Sequence, residues 1–302
     1  MKRASTDAPG PRLTRVAELP TQACAKLRTR VVWALMRMVS PATLRRWHDA
    51  AWFAPVDRFL RTGSLQVLGG LAVNARLAAG LFPYWGVQSY GMLTGGHEPM
   101  VQEALRRSLP AGGVFIDIGS HIGLTALLAC RLVGPSGTVI ALDAQHESAA
   151  AVAANAVLNG HRNLEALHLA AADRSGGAEV IITADELWSR LASVGEHEAE
   201  VRRDVVVTTT VDDLVAARGL QRVDAVKIDV EGAEIAVLDG MRETLRRYSP
   251  ILICEMHGKN AEYVARLNAL GYQTICLDGP EPVVDADSNA HTYARRCRPE
   301  PV

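Results

Sequence analysis

Cysteine does little to organise this 302-residue sequence: Cys24, Cys130, Cys254, Cys276 and Cys297 are odd in number, scattered, and never spaced C-x-x-C. That pattern argues against a disulfide framework and a zinc site, and it fits reduced thiols, so a cytoplasmic protein is expected. Apolar runs long enough to span a bilayer are also missing. The best candidate for a signal-peptide core, Val31 to Met36, is short, starts well into the chain and ends at Arg37, so secretion is not expected. Neither sign of charge dominates: 32 Lys and Arg face 33 Asp and Glu, for a formal net charge of −1. Nothing global therefore points to a nucleic-acid partner, which needs clustered cations for phosphate. No internal repeat is present, and the dinucleotide fingerprint G-x-G-x-x-G is absent.

What is there suffices for a full core, with 48% hydrophobic and 22% charged residues. The near-neutral total hides an asymmetry. Met1 to Trp47 holds ten Lys and Arg against Asp7 and Glu18, a local +8, which leaves −9 for the remainder. Residues 1–20, rich in Pro, Arg and small polar types, read as a flexible tail. Residues 21–85 read as a basic helical segment, with Leu27, Val31, Ala34 and Met38 on one face and breaks at Pro41 and Pro55. Two roles are open for it: a helical appendage packed on the main domain, or a basic amphipathic surface in weak contact with anionic lipid. The main domain is placed at 86–290, and 291–302 reads as a C-terminal tail.

From Val114 onward strand-like and helix-like segments alternate, the signature of a parallel sheet covered by helices on both faces. Strands are expected at Val114–Ile118, Gly137–Leu142, Leu164–Leu169, Ala225–Val230, Ile251–Met256 and Tyr272–Leu277, with an added pair at Ala178–Thr183 and Asp204–Thr210. Helices are expected at Leu124–Leu132 and Ser148–Leu158, and a further one with Ile235, Leu238, Met241 and Leu245 on one face.

The first strand runs into Asp117-Ile-Gly119-Ser120-His121-Ile-Gly123, a tight glycine turn opening a helix, which is geometry for a nucleotide-like cofactor at a sheet edge. Asp117 stands where a dinucleotide site has its first glycine. A carboxylate there repels a pyrophosphate but suits a cofactor carrying an ammonium and a sulfonium. Asp143 ends the second strand and can accept the two ribose hydroxyls, or else caps the next helix. Asp173, past the third strand, can receive an adenine amino group or be an ordinary turn residue.

The block Lys227-Ile-Asp229-Val-Glu231-Gly232-Ala-Glu234 resembles the signature of the FkbM-type methyltransferases. The resemblance runs over about Tyr90 to Gly271. It includes Gly96-His97-Glu98-Pro99, the Asp117/Gly119/Gly123 turn, Asn155, Asn159 and Asn163, Thr210-Val-Asp212-Asp213-Leu214, and Pro250-Ile-Leu-Ile-Cys-Glu255. Ser120-His121 departs from the family's usual Ala-Asn, Asp143-Ala144 from Glu-Pro, and Val211 from Leu. The resemblance implies a class I methyltransferase fold with a mostly parallel seven-stranded sheet. It also implies S-adenosyl-L-methionine as donor and, usually, O-methylation of sugars or secondary metabolites.

The residues agree with that reading. Lys227 and Asp229 are two apart in a strand and so share a face, and a Lys and a carboxylate belong at a strand's carboxyl end unless paired. Glu255 and His257 end the adjacent strand. Asp229, His257, Glu255 and Lys227 are thus the candidate acceptor-side set, with His257 as the first choice of general base. Asp117, Gly119, Ser120, His121, Gly123, Asp143 and Asp173 are the candidate donor-side set. No residue is assigned to a metal, although a carboxylate cluster could hold a hard cation. Glu231 and Glu234 can equally stabilise a helix N-terminus, and Lys227–Asp229 can be a structural ion pair. The expected partner is a small-molecule or glycan acceptor. The rival functions are a nicotinamide-dependent oxidoreductase and a non-catalytic methyltransferase-like binding protein.

Overall fold

The computed structural model describes residues 22–38, 63–78, 87–183, 189–191 and 200–297. The expected tail at 1–20 and the breaks at Pro41 and Pro55 lie outside the described residues. The described chain begins with helix α1 (Gln22–Met38), a short hairpin of β1 (Ser64–Gln66) and β2 (Arg76–Ala78), and helices α2 (Val87–Thr94) and α3 (Pro99–Ser108). The basic helical segment therefore also contains a hairpin, over which α1 packs, with Leu65, Val67, Leu77 and Val32 in one buried cluster.

Then comes the alternation anticipated from hydrophobic periodicity: β3 (Val114–Ile118), α4 (Leu124–Val133), β4 (Thr138–Asp143), α5 (His146–Asn159) and β5 (Leu164–His168). Short β6 (Ala170–Ala171), β7 (Gly176–Thr183), β8 (Ser189–Leu191) and β9 (Glu200–Thr209) form a side sheet in the order β6-β9-β7-β8. The main sheet resumes with α6 (Val211–Ala217), β10 (Ala225–Ile228), α7 (Glu234–Asp239), α8 (Arg242–Tyr248), β11 (Ile251–Glu255), α9 (Asn260–Ala269), β12 (Tyr272–Cys276) and β13 (His291–Arg296). Ile235, Leu238, Met241 and Leu245 share the core cluster, but Ile235 and Leu238 lie in α7, Leu245 in α8, and Met241 is the N-cap of α8.

The seven-stranded sheet has the order β12-β13-β11-β10-β3-β4-β5. β3, β4, β5, β10 and β11 are parallel, while β13 runs antiparallel between β11 and β12. This is a doubly wound sheet with its last strand inserted in reverse, the class I methyltransferase arrangement. Central strands β3 and β10 are buried at every position, as strands covered on both faces must be. Edge strand β12 instead alternates between buried and exposed positions.

The expected C-terminal tail needs correcting. Residues 291–296 form β13, an interior strand with Thr292 and Ala294 fully buried. Its four polar or charged side chains, His291, Thr292, Arg295 and Arg296, masked the alternation; Arg296 lies near an exposed end and donates to the Arg246 carbonyl.

Chain order reverses between β3 and β10, so the crevice beyond their carboxyl ends is the topological switch point where open α/β sheets bind ligands.

Candidate functional site

Beyond the ends of β3, β4, β10 and β11 lies a cavity of about 320 Å³. One wall is the glycine turn. Gly119 adopts φ +78°, and a Cβ there would lie 1.7 Å from the Asp229 carbonyl oxygen. The glycine thus lets the β3 turn cross the end of β10 at backbone distance. Gly119 and Ser120 both donate N–H bonds to the Leu142 carbonyl, at 2.9 and 3.1 Å. His121 holds a left-handed φ of 49°, and its N–H donates to Asp143 Oδ2 at 2.8 Å. Gly123 opens α4 at φ +82°, and a Cβ there would press on Val152 of α5 at 3.1 Å. The conformation of the turn therefore depends on the end of β4.

Asp143 does not cap the next helix, whose N-cap is Gln145 without a side-chain cap bond. It lines the cavity, and its carboxylate also accepts from the backbone N–H of Gln145 at 2.9 Å and of His121. Burial raises its pKa to about 6, opposed by those two hydrogen bonds. Gly119, Ser120 and His121 line the cavity as well, whereas Gly123 is not in its wall. His121 is pushed down to about 4 by burial, against the pull of Asp229, so its ring is neutral at pH 7.

Asp117 sits beneath the turn, outside the cavity wall. It is fully buried, with both carboxylate oxygens lacking a hydrogen-bond partner. Burial raises its pKa to about 7, with Lys227, its partner across the β3–β10 ladder, holding it down. Asp173 is exposed and does not line the cavity.

The other wall carries ionisable groups. Lys227 Nζ donates to Asp229 Oδ2 at 2.8 Å and lies 4.0 Å from Glu98 Oε2. Burial alone would discharge the lysine, but Asp229, Glu98 and Asp117 outweigh it and raise its pKa. Glu98 enters the site at the N-terminus of α3 in a left-handed conformation, φ 45°, and pairs with His97 at 3.0 Å. Burial opposes its ionisation, but Lys227 and His97 prevail and hold the carboxyl well below its ordinary range. Glu255 lines the cavity at the end of β11; burial and then the like charge of Asp229 raise it to about 7.

His257 is held from both sides. Its Nδ1 lies 2.8 Å from Glu234 Oε1 and its Nε2 3.2 Å from Glu231 Oε2. Burial disfavours the cation, yet the two glutamates raise the ring to about 9, so it is an imidazolium at neutral pH. An imidazolium has no lone pair to take a proton, so this geometry does not favour His257 as the base. One ligand atom each from Asp229, Glu255 and His257 falls within 4.8 Å of the others, and the same holds for Glu98, Glu255 and His291.

Glu98, His97 and His291 line the cavity without having been selected from sequence. Glu98 carried a readable signal, an acid ahead of Pro99 at a helix start. His291 had none, because its strand was read as a tail.

The ionisable lining is Glu98, Asp143, Asp229, Glu231, Glu255, Lys227, His97, His121 and His291. Five carboxyls face one lysine, which fits a ligand bearing ammonium and sulfonium charge and opposes a pyrophosphate. Leu142, Leu169, Ala170, Ala171 and Val230 add an apolar portion to the lining. Fold and site together define a methyltransferase-type α/β protein with a cation-tolerant crevice.

The family model described as Methyltransferase FkbM domain matches residues 117–274, and the chain belongs to that family of S-adenosylmethionine-dependent methyltransferases. A curated relative, 31-O-demethyl-FK506 methyltransferase FkbM of Streptomyces tacrolimicus, is 27% identical over 220 residues, which cover 62% of this chain and 82% of the relative. A solved methyltransferase FkbM from Methylobacillus flagellatus matches with a TM-score of 0.42 and 12% identity, covering 82% of this chain and 60% of its own. A SAM-dependent O-methyltransferase from Thermotoga maritima matches with a TM-score of 0.39 and 17% identity, over 68% of each chain. At such scores the fold rests on the strand order itself.

Proposed function

We propose that the protein transfers the methyl group of S-adenosylmethionine to a hydroxyl of a small molecule or glycan. The observation that carries this reading is the joint lining of one cavity by the glycine turn with Asp143 and by Lys227, Asp229 and Glu255. Support for oxygen as the acceptor comes from Glu255, whose pKa near 7 suits proton abstraction at neutral pH. The curated relative also bears the name of a 31-O-demethyl-FK506 methyltransferase.

The bound donor supplies an electrophilic methyl on a sulfonium. The chain must hold an acceptor oxygen in line with that methyl and remove its proton as the O–C bond forms and the S–C bond breaks. Glu255 takes the proton. Lys227 orients the hydroxyl, its ammonium donating to the oxygen, and Asp229 fixes that ammonium by accepting from it. His257, as a cation, holds Glu231 and Glu234 in place from its two ring nitrogens. Asp143 accepts from the donor's ribose while holding the turn.

The test is ligand-induced stabilisation: S-adenosylhomocysteine should raise the melting temperature and NAD should not. Stabilisation by NAD alone would instead support an oxidoreductase.

A further inference from the structure

Helix α1 meets two different environments on its opposite sides. Ala25, Thr29 and Val32 recur at helical spacing and are buried, at 0, 0 and 1% exposure. Thr29 Oγ1 fastens this face to the hairpin by accepting the Gln66 N–H at 2.7 Å. About half a turn around the helix run Leu27, Val31, Ala34 and Met38. Val31 is half-buried against the underlying cluster, Ala34 is exposed, and Leu27 and Met38 are 57% and 82% exposed. The apolar row legible in sequence is thus mostly turned outward, and the small-residue row does the packing.

The charges are arranged to match. Lys26, Arg30 and Arg37 are all exposed and fall on one flank of the outward row. The Arg37 guanidinium stacks over the Trp33 ring at 4.7 Å, which puts an amphipathic aromatic beside a cation. The helix has no acid in its first turn, and Met1 to Trp47 carries a net +8 while the rest carries −9. Exposed leucine and methionine flanked by cations, with Trp at the border, is the surface chemistry of a helix lying in a lipid headgroup layer. Among the described residues no helix is long and apolar enough to cross a membrane.

We infer that α1 docks the protein onto an anionic membrane surface, with Leu27, Ala34 and Met38 entering the headgroup–acyl boundary and Lys26, Arg30 and Arg37 meeting lipid phosphates. Charge complementarity favours the bilayer over other occupants. Each cation near an anionic surface strengthens partitioning about fivefold, and salt within a Debye length screens it.

The test is co-sedimentation of the full-length protein with vesicles of phosphatidylcholine alone and with about 30% phosphatidylserine. Binding is expected to the anionic vesicles only and to be released at about 0.5 M salt. The double variant Leu27→Asp/Met38→Asp should bind at least about tenfold more weakly, with an unchanged melting temperature because both positions are exposed. Lys26→Glu/Arg30→Glu should weaken binding by a similar factor. Equal binding to neutral vesicles, no binding, or binding untouched by both variants overturns the proposal. So does a parent dimer that the Leu27→Asp/Met38→Asp change dissociates, which would make this face a contact between copies. Stabilisation by S-adenosylhomocysteine, measured on the same variants, reports on the methyltransferase reading separately.

Discussion

Lys227 and Asp229 share a 2.8 Å hydrogen bond at the carboxyl end of β10, with Glu98 completing the charge balance 4.0 Å from the same ammonium. Lys227 is buried and its pKa is raised, so it is a cation matched by carboxylates from two distant parts of the sequence. Removing one member leaves the others desolvated without compensation. Lys227→Met should therefore destabilise the protein by about 3–5 kcal/mol, and the double variant Lys227→Met/Asp229→Asn by less. Urea unfolding of the single and double variants measures both.

Asp143 both lines the cavity and holds the turn, so on the proposed function its substitution should affect donor binding through both. Asp143→Asn should weaken S-adenosylhomocysteine binding by about 1.5–3 kcal/mol, the range for a lost charge-assisted hydrogen bond. Part of that loss comes through the Gly119–Gly123 turn, because the His121 and Gln145 N–H groups bond to this carboxylate. Calorimetric titration checks it. Unchanged affinity in a folded variant would leave Asp143 only its bonds to the His121 and Gln145 N–H groups.

Much of the fold was legible because hydrophobic period is a local property. β3 and β10, buried on both faces, read directly as apolar runs. β13 did not, since its interior placement depends on pairing with β11 and β12 rather than on its own composition. The site divided the same way. Lys227 and Asp229 were visible because two-residue spacing fixes a common face, whereas Glu98, from before the sheet, reaches the cavity only by tertiary folding. Helix α1 shows the limit of periodicity: its apolar row was legible, but which row would pack was not.

Glu255 should set the pH dependence of turnover. Its folded pKa is raised to about 7, so kcat should rise with pH through that region as the carboxylate forms. Glu255→Gln should lower kcat about 10²–10⁴-fold and abolish this limb, with donor affinity little changed. Single-turnover rates between pH 5.5 and 9 would show it; a limb that survives the substitution assigns the base elsewhere.

His257 should act on stability in a different pH window. Its pKa is raised from 6.5 to about 9, so its stabilising contribution is fully present below 6.5 and is lost as pH rises through 9. The loss should be on the order of 3 kcal/mol. Glu231 and Glu255 are raised as well, but as carboxyls they reduce stability as pH climbs from 4.5 to about 7. The interval between about pH 7.5 and 8.5 therefore reports mainly on the histidine, below the range where the buried Cys130 and Cys254 thiols, raised by burial, add their own decline. Chemical denaturation across it should show a decline in the parent and a flatter curve in His257→Gln.

The proposed reaction is methyl transfer to an oxygen within this cavity. The direct measurement incubates the protein with methyl-labelled S-adenosylmethionine and a small-molecule extract, then asks what bond holds the label. The expected result is label in an alkali-stable methyl ether, formed by the parent and nearly lost in Glu255→Gln. Label found only in methylamines or in base-labile esters, or no transfer by a protein that still binds S-adenosylhomocysteine, would contradict it.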